Sequence, residues 1–219
     1  MLRDDQIALH HADDEQPNSD TLIPLLRLAL QQADCTLQDM DAIAFGQGPG
    51  SFTGVRIACS VAQGLAFGAA KPVIPVCTLL SLAEASGANK VITALDARMG
   101  EYYFAAYARD PCDDTLWRTI IAPSLCHPNA MPELPGHGWK GIGSGFDAGP
   151  FLAACYDGQL QEIILQAVPS AREIAHLAAI AWRRGEGVPA EQAAPLYLRN
   201  KVALTMAERA HTNNTLRGG

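Results

Sequence analysis

The stretch "DAIAFGQGPGSFTGVRIACSVAQGLAFGAA", residues 41–70, constrains the fold more than any other. A short apolar run, "DAIAFG" (41–46), reads as a strand and enters a loop with glycines at 46, 48 and 50 and a proline at 49. Glycines there permit backbone angles that other residues resist, and Pro49 stiffens the loop. Ser51 or Thr53 is placed to cap a helix running to about Gly68. Free N–H groups and the dipole at a helix start attract anions, so Gly48, Gly50, Ser51, Thr53 and Arg56 are candidates for a nucleotide or phosphate loop. The spacing matches no known cradle, however. No G-K-[ST] ending supplies a lysine, and the G-x-G-x-x-G pattern is absent although the loop follows a strand. The alternative is a tight strand-to-helix connection with close packing.

The helix carries a second signal. Gly54, Ala58, Ala62, Ala66 and Ala70 fall at every fourth position, and Gly64 and Gly68 repeat the pattern. Such a stripe lets another helix approach until the backbones touch. Val55, Ile57, Val61 and Leu65 fill the other sides, and a helix apolar nearly all round is buried on more than one face. One cover is the chain's own sheet. The other is either a second protein or more of the same chain.

Upstream, "SDTLIPLLRLALQQAD" (19–34) has helical apolar spacing, with Ser19 or Asp20 as N-cap and Pro24 near the first turn. "QIALHH" (6–11), "KPVIPV" (71–76) and "KVITALDAR" (90–98) read as strands, and "TLLSLAEAS" (78–86) as a helix. Alternating strands and helices argue for an α/β layer structure. Beyond Arg98, "EYYFAAYARD" (101–110) and "TLWRTII" (115–121) suggest a hairpin, and 122–138 reads as proline-rich loop. "KGIGSGF" (140–146) is a strand into a glycine turn. "PSAREIAHLAAIAWRRGEG" (169–187) is the clearest helix. Ser170 and Glu173 form a capping box, and Ile174, Leu177, Ala178 and Ala181 share one face. The last residues, 201–219, read as a mobile tail.

A net charge of −7 argues against autonomous RNA capture, because phosphate neutralisation supplies most of that affinity. The six cysteines form no C-x-x-C pair and read as free thiols in a reducing compartment. No run reaches the roughly 20 apolar residues of a membrane span, and "MLRDDQIALHHADDEQ" lacks a signal-peptide core, so a cytoplasmic protein is expected.

"GPGSFTGVR" (48–56) followed by "AQGLA" (62–66) closely resembles the bacterial TsaB family, also called YeaZ. "LDARMGEYY" (95–103), "GIGSG" (141–145) and "AAPLYLRN" (193–200) agree with it in order, the last placing Pro195, Tyr197 and Arg199 in a Pro-x-Tyr-x-Arg signature. The resemblance implies a two-lobed ASKHA fold, as in actin, sugar kinases and Hsp70. The first lobe would span 1–97, bind the partner and hold an incomplete sheet, and the second would span 98–200 with its last helix packing back. It also implies a role: a non-catalytic subunit that helps form threonylcarbamoyladenosine in transfer RNA next to the anticodon. The transfer belongs to a paralogous partner, TsaD, and a small ATPase, TsaE, joins the assembly. The chain would self-associate when alone, touch tRNA only through the complex, and use no tightly held cofactor, with ATP bound only at a shared interface. Neither catalytic nor metal-binding residues are assigned. The metal-binding histidine pair, i and i+4, of the catalytic paralogue is absent from this sequence. The expected interface uses helices 19–33 and 53–69, through Leu22, Leu26, Gly54, Val55, Ala58, Ala62 and Leu65. A free-standing ATP-binding kinase or ATPase of the same fold class is the alternative.

Two departures stand out. The family opens with a strand like "LAIDTA", whereas this chain begins where the next strand should be ending; a late-assigned start or a truncated copy is expected. Asn18 stands about where relatives often carry a histidine. Ser51 lacks a recognisable base and sits outside any G-x-S-x-G elbow, so hydrolysis is not expected. Asp96 and Glu101 are expected to form a turn salt bridge with Arg98, and His176 to be a helix-surface or core residue.

Overall fold

A computed structural model describes residues 1–3, 6–12 and 18–199. The predicted tail, 201–219, lies outside the described residues. Two sheets organise the chain. The larger has five strands in the order β7-β6-β5-β8-β9: β5 (Lys90–Asp96), β6 (Tyr102–Arg109), β7 (Trp117–Cys126), β8 (Trp139–Ile142) and β9 (Leu160–Ile164). β5, β6 and β7 pair antiparallel, and β5, β8 and β9 parallel.

Side-chain alternation explains its two packed faces. Ile92 and Ala94 of β5, with Phe104 and Ala106 of β6, face a core holding Trp139, Phe146, Leu152 and Tyr156. Phe146 lies on α4 (Ser144–Asp147) and Leu152 on α5 (Phe151–Cys155). Val91, Ala105 and Tyr107 face the other way, against Leu79, Leu82 and Ala83 of α3 (Thr78–Ala85). Burial there pushes the Tyr107 phenol and the neighbouring Cys77 thiol up from their ordinary pKa values. The glycine turn after β8 reflects close packing: Gly143 has φ +106°, and a Cβ there would sit 2.4 Å from the Ala94 carbonyl oxygen.

The smaller sheet is the parallel pair β3 (Ile43–Gly48) and β4 (Val73–Cys77), with Ile43 opposite Val73 and Phe45 opposite Pro75. One face carries α2 (Phe52–Ala69), the other α6 (Ala171–Arg183). Leu177 and Ala178 of α6 are buried against Ile74 and Val76, beside Ile174 and Ala181, as the sequence periodicity predicts. Val73 also makes a two-bond antiparallel bridge with Val188. Thus, among the described residues, β4 is flanked on both sides and β3 pairs with β4 alone. The predicted strand 6–11 shrinks to β2 (Gln6–Ile7), which pairs with β1 (Leu2–Arg3) apart from either sheet. α1 (Asn18–Gln32) begins one residue before the expected Ser19 cap, so Pro24 lies inside the helix rather than in its first turn.

Several boundaries move. β5 belongs to the five-stranded sheet, so the division between sheets falls before residue 90, not at 97. β7 runs to Cys126, well into the stretch read as loop, because it completes the ladder with β6, where Tyr102 pairs with Cys126. Ser170 caps α6 by accepting from the Arg172 N–H at 3.1 Å rather than from Glu173.

A nearly buried carboxylate joins the halves. Glu84 of α3 accepts from Trp117 Nε1 (2.6 Å), pairs with Arg109 (3.0 Å) and meets His176 Nδ1 (2.8 Å). His176 stands on α6, over the small sheet, while Arg109 and Trp117 belong to the large one.

Candidate functional site

The loop 46–51 is filled by the chain itself. Gly48, at φ +102°, and Pro49 are buried, and a Cβ at Gly48 would lie 3.3 Å from the Leu196 carbonyl oxygen. The Leu196 N–H donates to the Gln47 carbonyl at 2.7 Å, strapping the C-terminal segment across the loop. Ser51 Oγ accepts from the Gly54 N–H at 3.1 Å, and its backbone carbonyl from Val55 at 3.0 Å. That cap also explains Gly54: a Cβ there would lie 2.6 Å from Ser51 Oγ. Arg56 turns to aromatic neighbours. Its Nε donates to the Tyr197 hydroxyl at 2.8 Å, and its guanidinium lies 3.7 Å above the Phe52 ring. Gly50 and Thr53 are exposed. The geometry is that of a capped, strapped strand-to-helix turn.

The helix after it corrects the expected interface. Ala62 and Ala66 are 3% and 0% exposed, packed with Cys59 against Phe45, Val73, Ala190 and Ala193. Ala58 packs against the same cluster. The stripe 58–62–66 therefore faces the chain's own sheet and the segment 190–193, so Ala62 cannot meet a partner in this fold. Cys59 Sγ and Gln63 Nε2 both donate to the Ala193 carbonyl, which holds that segment on the helix. Leu22, Leu26, Val55 and Leu65 are half-buried.

The opposite stripe faces outward. Phe52, Arg56, Ser60, Gly64 and Phe67 are all exposed, at i, i+4, i+8, i+12 and i+15, one continuous line along an α-helix. Phe67 is 81% exposed, and a Cβ built at Gly64 or Gly68 meets nothing within 4 Å. On α1, Leu28 is 48% exposed. Phe52, Phe67 and Leu28 are thus large apolar side chains left exposed on helices that also pack inward. The spacing that marks Gly64 and Gly68 was visible in the sequence; which of two interleaved stripes faces the sheet was not.

The other predicted residues divide. Arg98 pairs with Asp96 at 3.5 Å, as expected, but Glu101 pairs instead with Arg199 at 2.6 Å, a partner nearly a hundred residues away. Tyr107 is buried, Tyr102 and Tyr103 half-buried. No helix among the described residues is long and apolar enough to cross a membrane.

Comparison with known proteins gives concordant matches. The family model "TsaD: tRNA N6-adenosine threonylcarbamoyltransferase" matches residues 15–179. The chain is 35% identical to the tRNA threonylcarbamoyladenosine biosynthesis protein TsaB of Escherichia coli (strain K12), over 93% of this chain and 90% of that protein. It is 35% identical to the protein of the same name from Haemophilus influenzae, over 86% of this chain and 82% of that one. Among solved structures it resembles YeaZ from Pseudomonas aeruginosa with a TM-score of 0.76 at 35% identity, covering 90% of this chain and 92% of that one. An uncharacterized protein with similarity to peptidase YEAZ, from the same organism, matches with a TM-score of 0.77 at 36% identity, covering 90% and 92%.

Proposed function

Because the chain belongs to the TsaB (YeaZ) family of ASKHA-like fold, whose named members are tRNA threonylcarbamoyladenosine biosynthesis proteins, we propose that it acts in forming that nucleoside as a non-catalytic subunit, by pairing with a TsaD-type transferase. The observation that carries the pairing is the outward stripe of α2, ending in the 81% exposed Phe67 beside the bare backbone of Gly64 and Gly68. A facing helix gains close backbone approach at the glycines and an aromatic anchor at Phe67. Leu28 on α1 is a further exposed apolar side chain for the partner. In the absence of the partner the same surface serves a second copy of the chain. The interface so proposed keeps the two predicted helices but exchanges Ala58 and Ala62 for Ser60, Gly64 and Phe67. Leu22, Leu26, Val55 and Leu65 contribute their half-exposed edges.

The same reading assigns no chemistry and no tightly held nucleotide to the chain alone. Ser51 and Arg56, the side chains that a phosphate would need, already hold Gly54 and Tyr197. ATP is then bound only where this chain meets its partner, the TsaE-type ATPase joins that assembly, tRNA contacts it through the complex, and the setting is the cytoplasm.

The test is co-expression with the TsaD-type subunit of the same organism and size-exclusion chromatography. The wild-type chain is expected to co-elute, and Phe67→Lys to elute alone with an unchanged melting temperature. Co-elution of Phe67→Lys with the partner would overturn the assigned face. Micromolar Mg-ATP binding with turnover by the isolated chain would favour the free-standing ATPase instead.

A further inference from the structure

We infer that the N-terminal end of α2 and the turn between β5 and β6 form one cationic, aromatic patch that receives an acidic segment of the transferase-type partner, an inference resting on the pairing proposed above. Phe52 and Tyr197 lie with ring centroids 6.4 Å apart, and the Arg56 guanidinium sits over both, 3.7 Å and 5.6 Å from their centroids. Both rings are about half exposed. Two residues beyond Tyr197, Arg199 turns inward. It donates to Glu101 Oε2 (2.6 Å) and the Ala97 carbonyl (2.9 Å) and touches Met99 Sδ (3.9 Å). The segment 195–199 thus straps α2 to the turn at 97–101.

That turn is held open to solvent. Arg98, Met99 and Gly100 have φ of +64°, +58° and +73°, three consecutive left-handed residues, two of which carry side chains that disfavour the region. The Glu101 N–H donates to the Arg98 carbonyl and the Arg98 N–H to Asp96, fixing the tip in one shape. Met99 is 74% exposed, and the Arg98 side chain 88%. A tip already fixed loses little entropy when a partner meets it.

Charge selects the occupant. Arg199 and Glu101 cancel. Arg98 pairs with Asp96 at 3.5 Å, and Arg56 has no carboxylate partner among the described residues, so the positive excess of the patch rests on Arg56. The patch is cationic on a chain of net charge −7, so an acidic segment is steered to it. Its residues, Phe, Tyr, Met and Arg, are those enriched in the cores of protein interfaces. RNA fits less well: one face of Phe52 is already covered by Arg56, and one excess positive charge is too little for tracking phosphates. Continuity identifies the partner, because Phe52 and Arg56 begin the outward stripe that ends at Phe67, on one 18-residue helix.

The experiment titrates the full chain with the TsaD-type subunit at low and high salt, comparing wild type, Arg98→Glu, Arg56→Glu and Phe67→Lys. Arg98→Glu serves as the variant without a folding role, since its side chain is almost wholly exposed. Each arginine reversal is expected to weaken binding about tenfold at low salt and to flatten the salt dependence. Unchanged affinity and salt slope in both reversals would overturn the patch, whatever Phe67→Lys does. Loss of affinity in the reversals with none in Phe67→Lys would keep the patch and sink the helix-face pairing. If the reversals spare the pair but abolish binding of labelled tRNA by the isolated chain, the patch is an RNA contact and the inference falls.

Discussion

The two faces of α2 are both lined by small residues at four-residue spacing, yet they meet different neighbours. Facing inward, Ala62 and Ala66 touch Phe45, Val73, Ala190 and Ala193 and are almost fully buried. Facing outward, Ser60 and Gly64 are exposed between Arg56 and Phe67. Small residues report that something comes close; they do not say what. On the inner face the close neighbour is the chain's own sheet and a C-terminal segment tied down by Cys59 and Gln63. On the outer face a Cβ built at Gly64 or Gly68 meets nothing within 4 Å.

Three substitutions break or sharpen this contrast. Ala66→Arg places an unpaired charge at a fully buried site and costs several kcal/mol, against a total stability of about 5–15 kcal/mol. Little folded protein is expected, read by circular dichroism and soluble yield; a normally folded variant would mean the inner face is not core. Ala62→Leu overpacks the same face and should lower stability by about 1–3 kcal/mol in urea denaturation. A neutral result would show slack between α2 and the 190–193 segment. Gly64→Ala adds one methyl to open space and removes a helix-interior glycine, so stability should rise by about 0.5–1 kcal/mol. It should also weaken pairing, by holding the facing helix away. Added side-chain bulk therefore destabilises the fold on one side of the helix and is accommodated on the other.

Much of the fold was legible from local pattern. The apolar spacing of 169–187 located α6 and its buried face, because an isolated amphipathic stripe has one way to hide. Strands β3 to β5 fell close to their predicted positions as short apolar runs, and β6 through its alternating aromatic residues. The region 151–168 gave no clear pattern. Its α5 is one turn long, and β9 is an edge strand with exposed positions, so neither carries a full period. β7 was cut short because Pro123 within 122–138 argued for loop, while an edge strand tolerates proline. The glycine loop was recognised from its sequence, but its strapping by Leu196, which donates to the Gln47 carbonyl, and by Tyr197, which accepts from Arg56, was not.

By itself the sequence determined the family, the alternation of elements, and the fact that α2 is apolar nearly all round, since those follow from residues near one another along the chain. Tertiary structure alone decided which side of α2 stays bare, which arginine neutralises Glu101, and that Glu84 ties α6 to the five-stranded sheet. Each depends on partners separated by tens of residues, brought together only when burial of the common core fixes how the elements stack. Side-chain periodicity gives a helix its faces; only the packed neighbours determine which of them meets solvent.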